Sequence, residues 1–293
     1  MKISHGFEYA AFWILARTVQ LMPGWLADKV AVGLGGLAFY VLASRRRIAL
    51  NNLHRAFKKE KSEDECRRIA RLAFVNFART TIEFMRLPVV ARKGFRKVIP
   101  GTEGEDIMES CLKQDKGVVF ITGHIGNWEY LGGWLASLGQ PADLLVGQQH
   151  NPYVDKMINN LRRAAEVGII PVGVAARHVI KALKNNHRVA FVSDHHSASG
   201  GVVVRLFDRP ASTPKGAASF VVQVGSPLVL GLMIRIRYNL FRIIAMPPIY
   251  PPNSGDKEKD IKDITQQYTS LLESVIRQYP EQWMWTHRRW KLD

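Results

Sequence analysis

The stretch that organises this chain is Val118-Val-Phe-Ile-Thr-Gly-His-Ile-Gly-Asn-Trp-Glu129. Its first residues, Val118 to Ile121, form a short apolar run of the kind that becomes a buried strand. His124 follows just past the end of this strand, and in α/β proteins ligands bind at the carboxyl ends of strands. The sequence therefore predicts a functional site at this turn.

The spacing between His124 and Glu129 sets a geometric condition. On one continuous helix, five positions rotate a side chain by roughly 140°, so the two groups would point apart. They meet only if His124 lies in the turn and Glu129 lies near the start of the next helix. Gly123 and Gly126 suit such a turn, and Asn127 suits the N-cap. We therefore predict that Glu129 holds one imidazole nitrogen and leaves the other free as a base.

The rest of the chain alternates helical segments with short apolar runs. These runs predict strands at 144–146, 168–171, 189–192, 227–233 and 241–246. Ser62 and Glu65 have the spacing of a capping box, which predicts a helix start. The alternation indicates an α/β fold with a mostly parallel central sheet covered by helices.

Residues 1–44 form a separate apolar helical segment. Its two apolar runs, 9–16 and 30–43, are shorter than the roughly 20 residues that a spanning helix needs. Arg45, Arg46 and Arg47 follow directly. We predict a segment that lies in or dips into a bilayer, with a helical pair packed on the main domain as the alternative. Residues 45–293 are then the catalytic domain.

The composition points to anionic partners. Lysine and arginine total 41 against 25 acidic residues, a formal charge of +16. An anionic membrane surface and an acidic carrier protein both fit this excess. Nucleic acid is not expected, because the chain lacks zinc-finger spacing and RNA-binding signatures. The two cysteines do not make a disulfide framework.

A second polar cluster, Ser193-Asp-His-His196, follows the predicted strand 189–192 and falls at the same sheet edge as His124. His124, Asp194, His195 and His196 are residue types that bind zinc, so a metal site is one alternative. The preferred interpretation makes Asp194 a supporting group of the site.

Arg205, Arg209 and Lys215 surround a Pro-Ala-Ser-Thr-Pro-Lys-Gly stretch ending at Gly216. We interpret residues 212–216 as a loop that opens a helix, which is a ready anion site. A solvated turn is the alternative. The tail 282–291 interleaves aromatic and cationic residues, as either an interfacial belt or a packed terminus would.

These motifs, in this order, resemble the bacterial lipid A biosynthesis acyltransferases, the late lauroyl and myristoyl transferases. The segments that carry the resemblance are Gly123–Glu129, Asn151–Asp155, Ser193–His195, Phe207–Gly216 and Trp285–Lys291, together with Asn51-Asn52-Leu53. The resemblance covers nearly the whole chain. The first of these motifs also looks like the His-x4-Asp/Glu signature of glycerolipid acyltransferases.

The resemblance implies an αβα sandwich like that of glycerol-3-phosphate acyltransferase. It also implies an enzyme on the cytoplasmic face of the bacterial inner membrane, with no metal and no cofactor. Such an enzyme moves a fatty acyl group from acyl carrier protein to a hydroxyl of an anionic glycolipid, a lipid A precursor. His124 would be the general base, oriented by Glu129. The residues assigned to substrate binding are Asn127, Asp194, Arg205, Arg209 and Lys215.

Several alternatives stay open. The acceptor is a lipid A precursor or another glycolipid, such as a mannosylated inositol lipid. A membrane-bound lipid-binding protein without turnover and a metal-dependent hydrolase are the other two hypotheses. A serine hydrolase is disfavoured, because the chain has no Gly-x-Ser-x-Gly elbow. For an oxyanion, the candidate donors are the backbone amides near Gly126 or an arginine.

Overall fold

A computed structural model describes residues 3–58, 60–101 and 104–291. Its helices are α1 (Ile3–Leu21), α2 (Gly24–Val41), α3 (Ala43–Phe57), α4 (Glu63–Met85), α5 (Leu87–Lys93), α6 (Glu105–Leu112), α7 (Trp128–Ala136), α8 (Pro152–Arg163), α9 (Ala175–Lys184), α10 (Gly216–Val224) and α11 (Lys257–Gln278). Its strands are β1 (Val118–Thr122), β2 (Ala142–Val146), β3 (Gly168–Pro171), β4 (Arg188–Val192), β5 (Gly201–Leu206), β6 (Arg209–Pro214), β7 (Leu228–Arg237) and β8 (Leu240–Ala245).

The main sheet has the strand order β3-β2-β4-β1-β7-β8. β1 is parallel to both of its neighbours, β4 and β7, and β2 is parallel to β3 and β4. β8 runs antiparallel to β7. The prediction of an α/β fold with a mostly parallel sheet is therefore confirmed, and each predicted strand is present with its bounds moved by a few residues.

β1 lies in the middle of the sheet, and all its residues are buried. Because successive side chains point to opposite faces, Val119 and Ile121 pack with α9, α10 and α11 on one side. Val118 and Phe120 pack with α5, α6, α7 and α8 on the other side. A strand buried on both faces reads as a continuous apolar run, which explains the sequence of β1.

The described part of the predicted 1–44 segment forms α1 and α2, while its first two residues lie outside the described residues. α2 lies close to α4 at Gly35, which has no side chain to separate the two helices. Among the described residues, no single helix is long and apolar enough to cross a bilayer. α2 and α3, bent by 89° between them, have the length and composition of a broken span when taken together.

The residues just before α10 differ from the prediction. Residues 212–214 do not form a loop at a helix start but the end of β6, which pairs antiparallel with β5 in a separate hairpin. The prolines at the two ends of β6 made this stretch look like a turn. A two-stranded hairpin tolerates them because each strand is an edge. The capping box is confirmed, since the side chain of Ser62 accepts from Glu65 N–H and that of Glu65 accepts from Ser62 N–H.

Gly35→Ala is expected to destabilise the docking of α2 on α4. An added Cβ would lie 2.5 Å from Val75 Cα and 2.8 Å from Phe74 O, so the helices must separate. We expect a loss of about 1–3 kcal/mol in the free energy of unfolding, as for other overpacked cores. Gly36→Ala is the matched control, because a Cβ there meets nothing within 4 Å. That variant should gain about 1 kcal/mol or less from helix propensity. Equal denaturant midpoints for the two variants would contradict the close packing.

Candidate active site

The register between β1 and β4 brings the first two site residues together. Thr122 pairs with Val192, the last residues of the two strands. His124 and Asp194 each come two residues later, so they meet at the carboxyl edge of the sheet. The Nδ1 atom of His124 lies 2.7 Å from Oδ1 of Asp194.

Asp194 is a buried carboxylate with three donors. Besides the imidazole, it accepts the backbone N–H of His124 (2.7 Å) and the indole N–H of Trp283 (2.8 Å) on Oδ2. Burial works to raise the pKa of Asp194, but the charge and hydrogen bond of His124 outweigh it and hold that pKa well below its usual range. The carboxylate therefore stays ionised and fixes the ring of His124 through Nδ1. Nε2 is left as the nitrogen that can take a proton.

The predicted pairing of His124 with Glu129 is wrong. Both oxygens of Glu129 accept from Arg162, at 2.7 Å and 3.0 Å, in a bidentate ion pair. Glu129 lies at the start of α7 as predicted, but α7 packs beside α8, and Arg162 lies in the last turn of α8. The imidazole of His124 is bonded through Nδ1 to Asp194 instead.

The turn after His124 is held by contacts with β7 and α4. Gly126 has a φ of 60°, and a side chain there would overlap the carbonyl oxygen of Met233. The carbonyl of Gly126 accepts from Asn76 (3.2 Å) and Thr80 (2.8 Å). These contacts fix the direction in which the chain leaves the site.

Asn127 supports this turn and does not face a substrate. Its side chain is fully buried. Its Oδ1 accepts from Tyr130 N–H, which confirms the predicted N-cap, and its Nδ2 donates to Glu83. Glu83 is in turn paired with Arg235. The assignment of Asn127 to substrate binding is therefore corrected to a structural one.

The backbone amides near Gly126 are already used. The N–H groups of Ile125, Gly126 and Asn127 donate to the carbonyls of Gly123, Gln282 and Met233, at 2.8–3.1 Å. The His124 N–H donates to Asp194. These four N–H groups therefore have no free hydrogen to offer an oxyanion, and the identity of the oxyanion donor stays a prediction.

Residues 282–290, the closing segment, complete the site from the far end of the sequence. Trp283 bonds Asp194, and Met284 N–H donates to the carbonyl of His124 at 2.9 Å. Asn52 anchors the segment by donating to the carbonyls of Trp285 (2.8 Å) and His287 (2.6 Å). The tryptophans at 283, 285 and 290 are all buried. Of the two alternatives for this tail, the structure has the packed terminus.

Arg205, Arg209 and Lys215 do not converge on one anion. Arg205 and Arg209 lie at the tip of the β5–β6 hairpin, and Lys215 lies beyond its opposite end. The six residues of β6 separate them by roughly 20 Å. Arg205 donates to Asp208 O, and Arg209 donates to Arg55 O. The predicted anion site is therefore not assembled, and these residues hold the hairpin or lie on the surface.

The cluster considered as a metal site has a different geometry. Ligand atoms of His124, Asp194 and His195 lie within 4.8 Å of one another. However, the rings of His124 and His195 are stacked, 3.9 Å apart and within 5° of parallel. Stacked rings direct their in-plane lone pairs into two parallel planes, so these do not converge on one ion. The arrangement favours a base and a carboxylate over a chelate.

An apolar groove of about 610 Å³ adjoins the site. Leu34 and Ala38 of α2 line it together with Leu42, the residue after α2, and Phe77 of α4 also lines it. Phe77 stacks on Trp128, whose edge meets the ring of His124 with 4.9 Å between ring centroids. Apolar walls of this kind suit the hydrocarbon part of a ligand.

Comparison with known proteins agrees with this geometry. The profile of a family described as bacterial lipid A biosynthesis acyltransferase matches residues 3–292. The chain belongs to this family. It is therefore an O-acyltransferase, as predicted.

Three relatives show how far the similarity extends within and beyond lipid A biosynthesis. The lipid A biosynthesis lauroyltransferase of Escherichia coli (strain K12) is 26% identical, over 99% of this chain and 95% of that protein. The lipid A biosynthesis myristoyltransferase of the same strain is 24% identical, over 91% and 81%. The phosphatidylinositol mannoside acyltransferase of Mycolicibacterium smegmatis is 23% identical, over 97% and 91%. The acceptors of these relatives differ although the coverage is similar.

Sequence reasoning missed three residues of this candidate site. Arg162 gave no signal, because nothing in the sequence links the end of α8 to Glu129. Trp283 and His287 lie in a tail that we interpreted only as an interface or a terminus. The signal for Asp194 was present, since it lies two residues past a strand, as His124 does.

Proposed function

We propose that this chain transfers a fatty acyl group from a thioester to a hydroxyl of an anionic glycolipid, with His124 as the general base. The observation that carries the proposal is the hydrogen bond between His124 Nδ1 and the buried carboxylate of Asp194 beside an apolar groove. The acceptor is a lipid A precursor, and a mannosylated inositol lipid is the second candidate because of the mycobacterial relative. The proposed fold relationship is to the glycerol-3-phosphate acyltransferase sandwich.

The chemistry follows from the two ring nitrogens. Nε2 of His124 takes the proton of the acceptor hydroxyl while its oxygen attacks the thioester carbonyl carbon. The tetrahedral intermediate then collapses, the carbon–sulfur bond breaks, and the imidazolium returns the proton to the leaving sulfur. Asp194 stabilises the imidazolium, as the buried carboxylate does in a serine-protease triad.

Acyl carrier protein is the proposed donor, and the membrane surface is the proposed place of reaction. The formal charge of +16 supports both, since each partner is anionic. α1 and α2 support the second, because Phe7, Leu21, Tyr40 and Val41 are each 62–86% exposed. So large an apolar exposure on neighbouring helices marks an interaction surface. The proposed location is the cytoplasmic face of the bacterial inner membrane.

The two carboxylates should differ when each is made neutral. Asp194→Asn is expected to lower kcat by about 10³- to 10⁴-fold, because the amide no longer stabilises the imidazolium or its tautomer. His124→Ala should reduce transfer to the background rate.

Glu129→Gln leaves the His124–Asp194 bond in place and acts through Arg162. The double variant Glu129→Gln/Arg162→Gln should therefore be no slower than the slower single variant. The measurement is acyl transfer to lipid from carrier-protein and CoA thioesters.

Three results would contradict this assignment. If His124→Ala has parental activity, His124 is not the general base. A larger loss in Glu129→Gln than in Asp194→Asn restores Glu129 as the orienting group. Tight lipid binding with no loss of thioester, across donors and both classes of acceptor, favours the lipid-binding protein without turnover.

The groove is proposed to hold the acyl chain. Leu34 and Ala38 lie on one face of α2, and Leu42 follows directly after the helix, so the three residues extend over roughly 12 Å. The Leu42 end lies beside the closing segment, because Arg45 just beyond it donates to Thr286 O.

Substitutions on α2 should change the preferred chain length in opposite directions. Ala38→Phe fills the groove part-way along α2, so we expect preference for shorter acyl groups. Leu34→Ala enlarges the groove and should improve the use of longer ones. A series of thioesters of increasing length measures the preference as kcat/KM. If neither variant shifts the optimum, the acyl chain does not lie along α2.

Membrane binding is expected to depend on α2 rather than on total apolar exposure. Leu37→Asp/Tyr40→Asp places two charges on the exposed face of α2, where the parental side chains are 59% and 62% exposed. We expect this variant to lose most of its flotation with vesicles containing anionic lipid. Val203→Asp is the control, because Val203 is 50% exposed but lies on the β5–β6 hairpin. Equal flotation of the parent and both variants would contradict the proposed surface.

A further inference from the structure

Three histidine rings are stacked in one column at the site. His195 lies between His124, at 3.9 Å between ring centroids, and His287, at 3.8 Å. The interplanar angles are 5° and 7°. The three rings come from three parts of the chain: the turn after β1, the loop after β4 and the closing segment. Their parallel alignment is therefore a product of the fold rather than of local sequence.

The middle ring, that of His195, is uncharged and contacts its neighbours through its two faces. Burial lowers the pKa of His195 to about 3, against the opposing charge of Asp194. Burial also lowers the pKa of His287. The Nε2 atom of His195 is buried and has no hydrogen-bond partner in the part of the chain that the structure describes. The contacts of the His195 ring with His124 and His287 are made through its two faces.

The catalytic ring needs this contact because its hydrogen bond fixes only one edge. The bond from Nδ1 to Asp194 and the link to Cβ hold one side of the imidazole, but small rotations of the side-chain torsions can still tilt the plane of the ring. Such a rotation swings Nε2 away from the acceptor hydroxyl. A flat ring lying 3.9 Å away and parallel to His124 prevents that rotation.

We propose that His195 is a positioning residue, whose ring, held between His124 and His287, fixes the plane of the catalytic imidazole. This inference rests on the proposed function, since it assumes that His124 is the base. It also gives His287 a purpose: the closing segment supports the far side of the stack, and Asn52 holds that segment by bonding the His287 carbonyl.

The test separates a stacking face from a hydrogen-bonding edge. His195→Phe keeps a flat ring without nitrogens, and His195→Asn keeps a polar group without a ring. We expect His195→Asn to lower kcat by about 10- to 100-fold, as misplaced catalytic groups do, with KM for the thioester within about twofold. His195→Phe should keep kcat within about threefold of the parent, because the stacked face still fixes the geometry.

His187→Asn is the matched control. His187 is also bonded to a carboxylate, Asp143, at 2.7 Å, but it precedes β4, at the opposite end of the strand from His195. Its substitution should leave kcat unchanged. Melting temperatures of all the variants show which of them are folded. If neither His195 variant is folded, the decision passes to His287→Phe and His287→Asn, for which we expect the same order.

Two outcomes overturn the proposal. If the Asn variant is as active as the parent, the stack does not position the base. If the Phe variant is as slow as the Asn variant or slower, the nitrogens of His195 matter rather than its face. The proposed function fails separately, by results such as acyl transfer at the parental rate in His124→Ala. If His124→Ala is inactive and His195→Asn is as active as the parent, only the inference about His195 is contradicted.

Discussion

The site depends on one buried carboxylate. Asp194 accepts from the ring of His124, from its backbone N–H and from the indole of Trp283. Its position follows from the register of β1 on β4, which places both residues two positions past paired strand ends. A slip of one residue would turn every side chain of the strand to the other face of the sheet. The central sheet therefore fixes the site directly, without help from a flexible loop.

The second constraint is the closing segment, which brings residues from the end of the sequence to a turn more than 150 positions earlier. Buried tryptophans hold it in the core, and polar anchors from α3 hold its backbone, through Asn52 and Arg55. Through these long-range contacts, the Asn-Asn-Leu stretch and the tryptophan-rich tail pack together at the site, although they are far apart in sequence. α3 and the closing segment therefore both help to orient the imidazole of His124.

Periodicity and turn chemistry predicted the strand before His124, the cap at Asn127 and the mostly parallel sheet, because these depend on local sequence. They placed Glu129 correctly at a helix start but not its partner, because the choice between His124 and Arg162 depends on how α7 and α8 pack. The β5–β6 hairpin was missed for a related reason. Its prolines and hydroxyl residues favour a turn locally, and only pairing with the facing strand makes it extended.

The distribution of charge suits a reaction that moves one proton in a dry place. The excess of 16 positive charges is spread over the chain, while the site itself holds a single buried anion and histidines that burial keeps uncharged. Asp194 can then balance an imidazolium on His124, and the uncharged neighbouring rings add no repulsion. For the proposed transfer, an apolar groove beside His124 would favour the acceptor hydroxyl over water as the nucleophile.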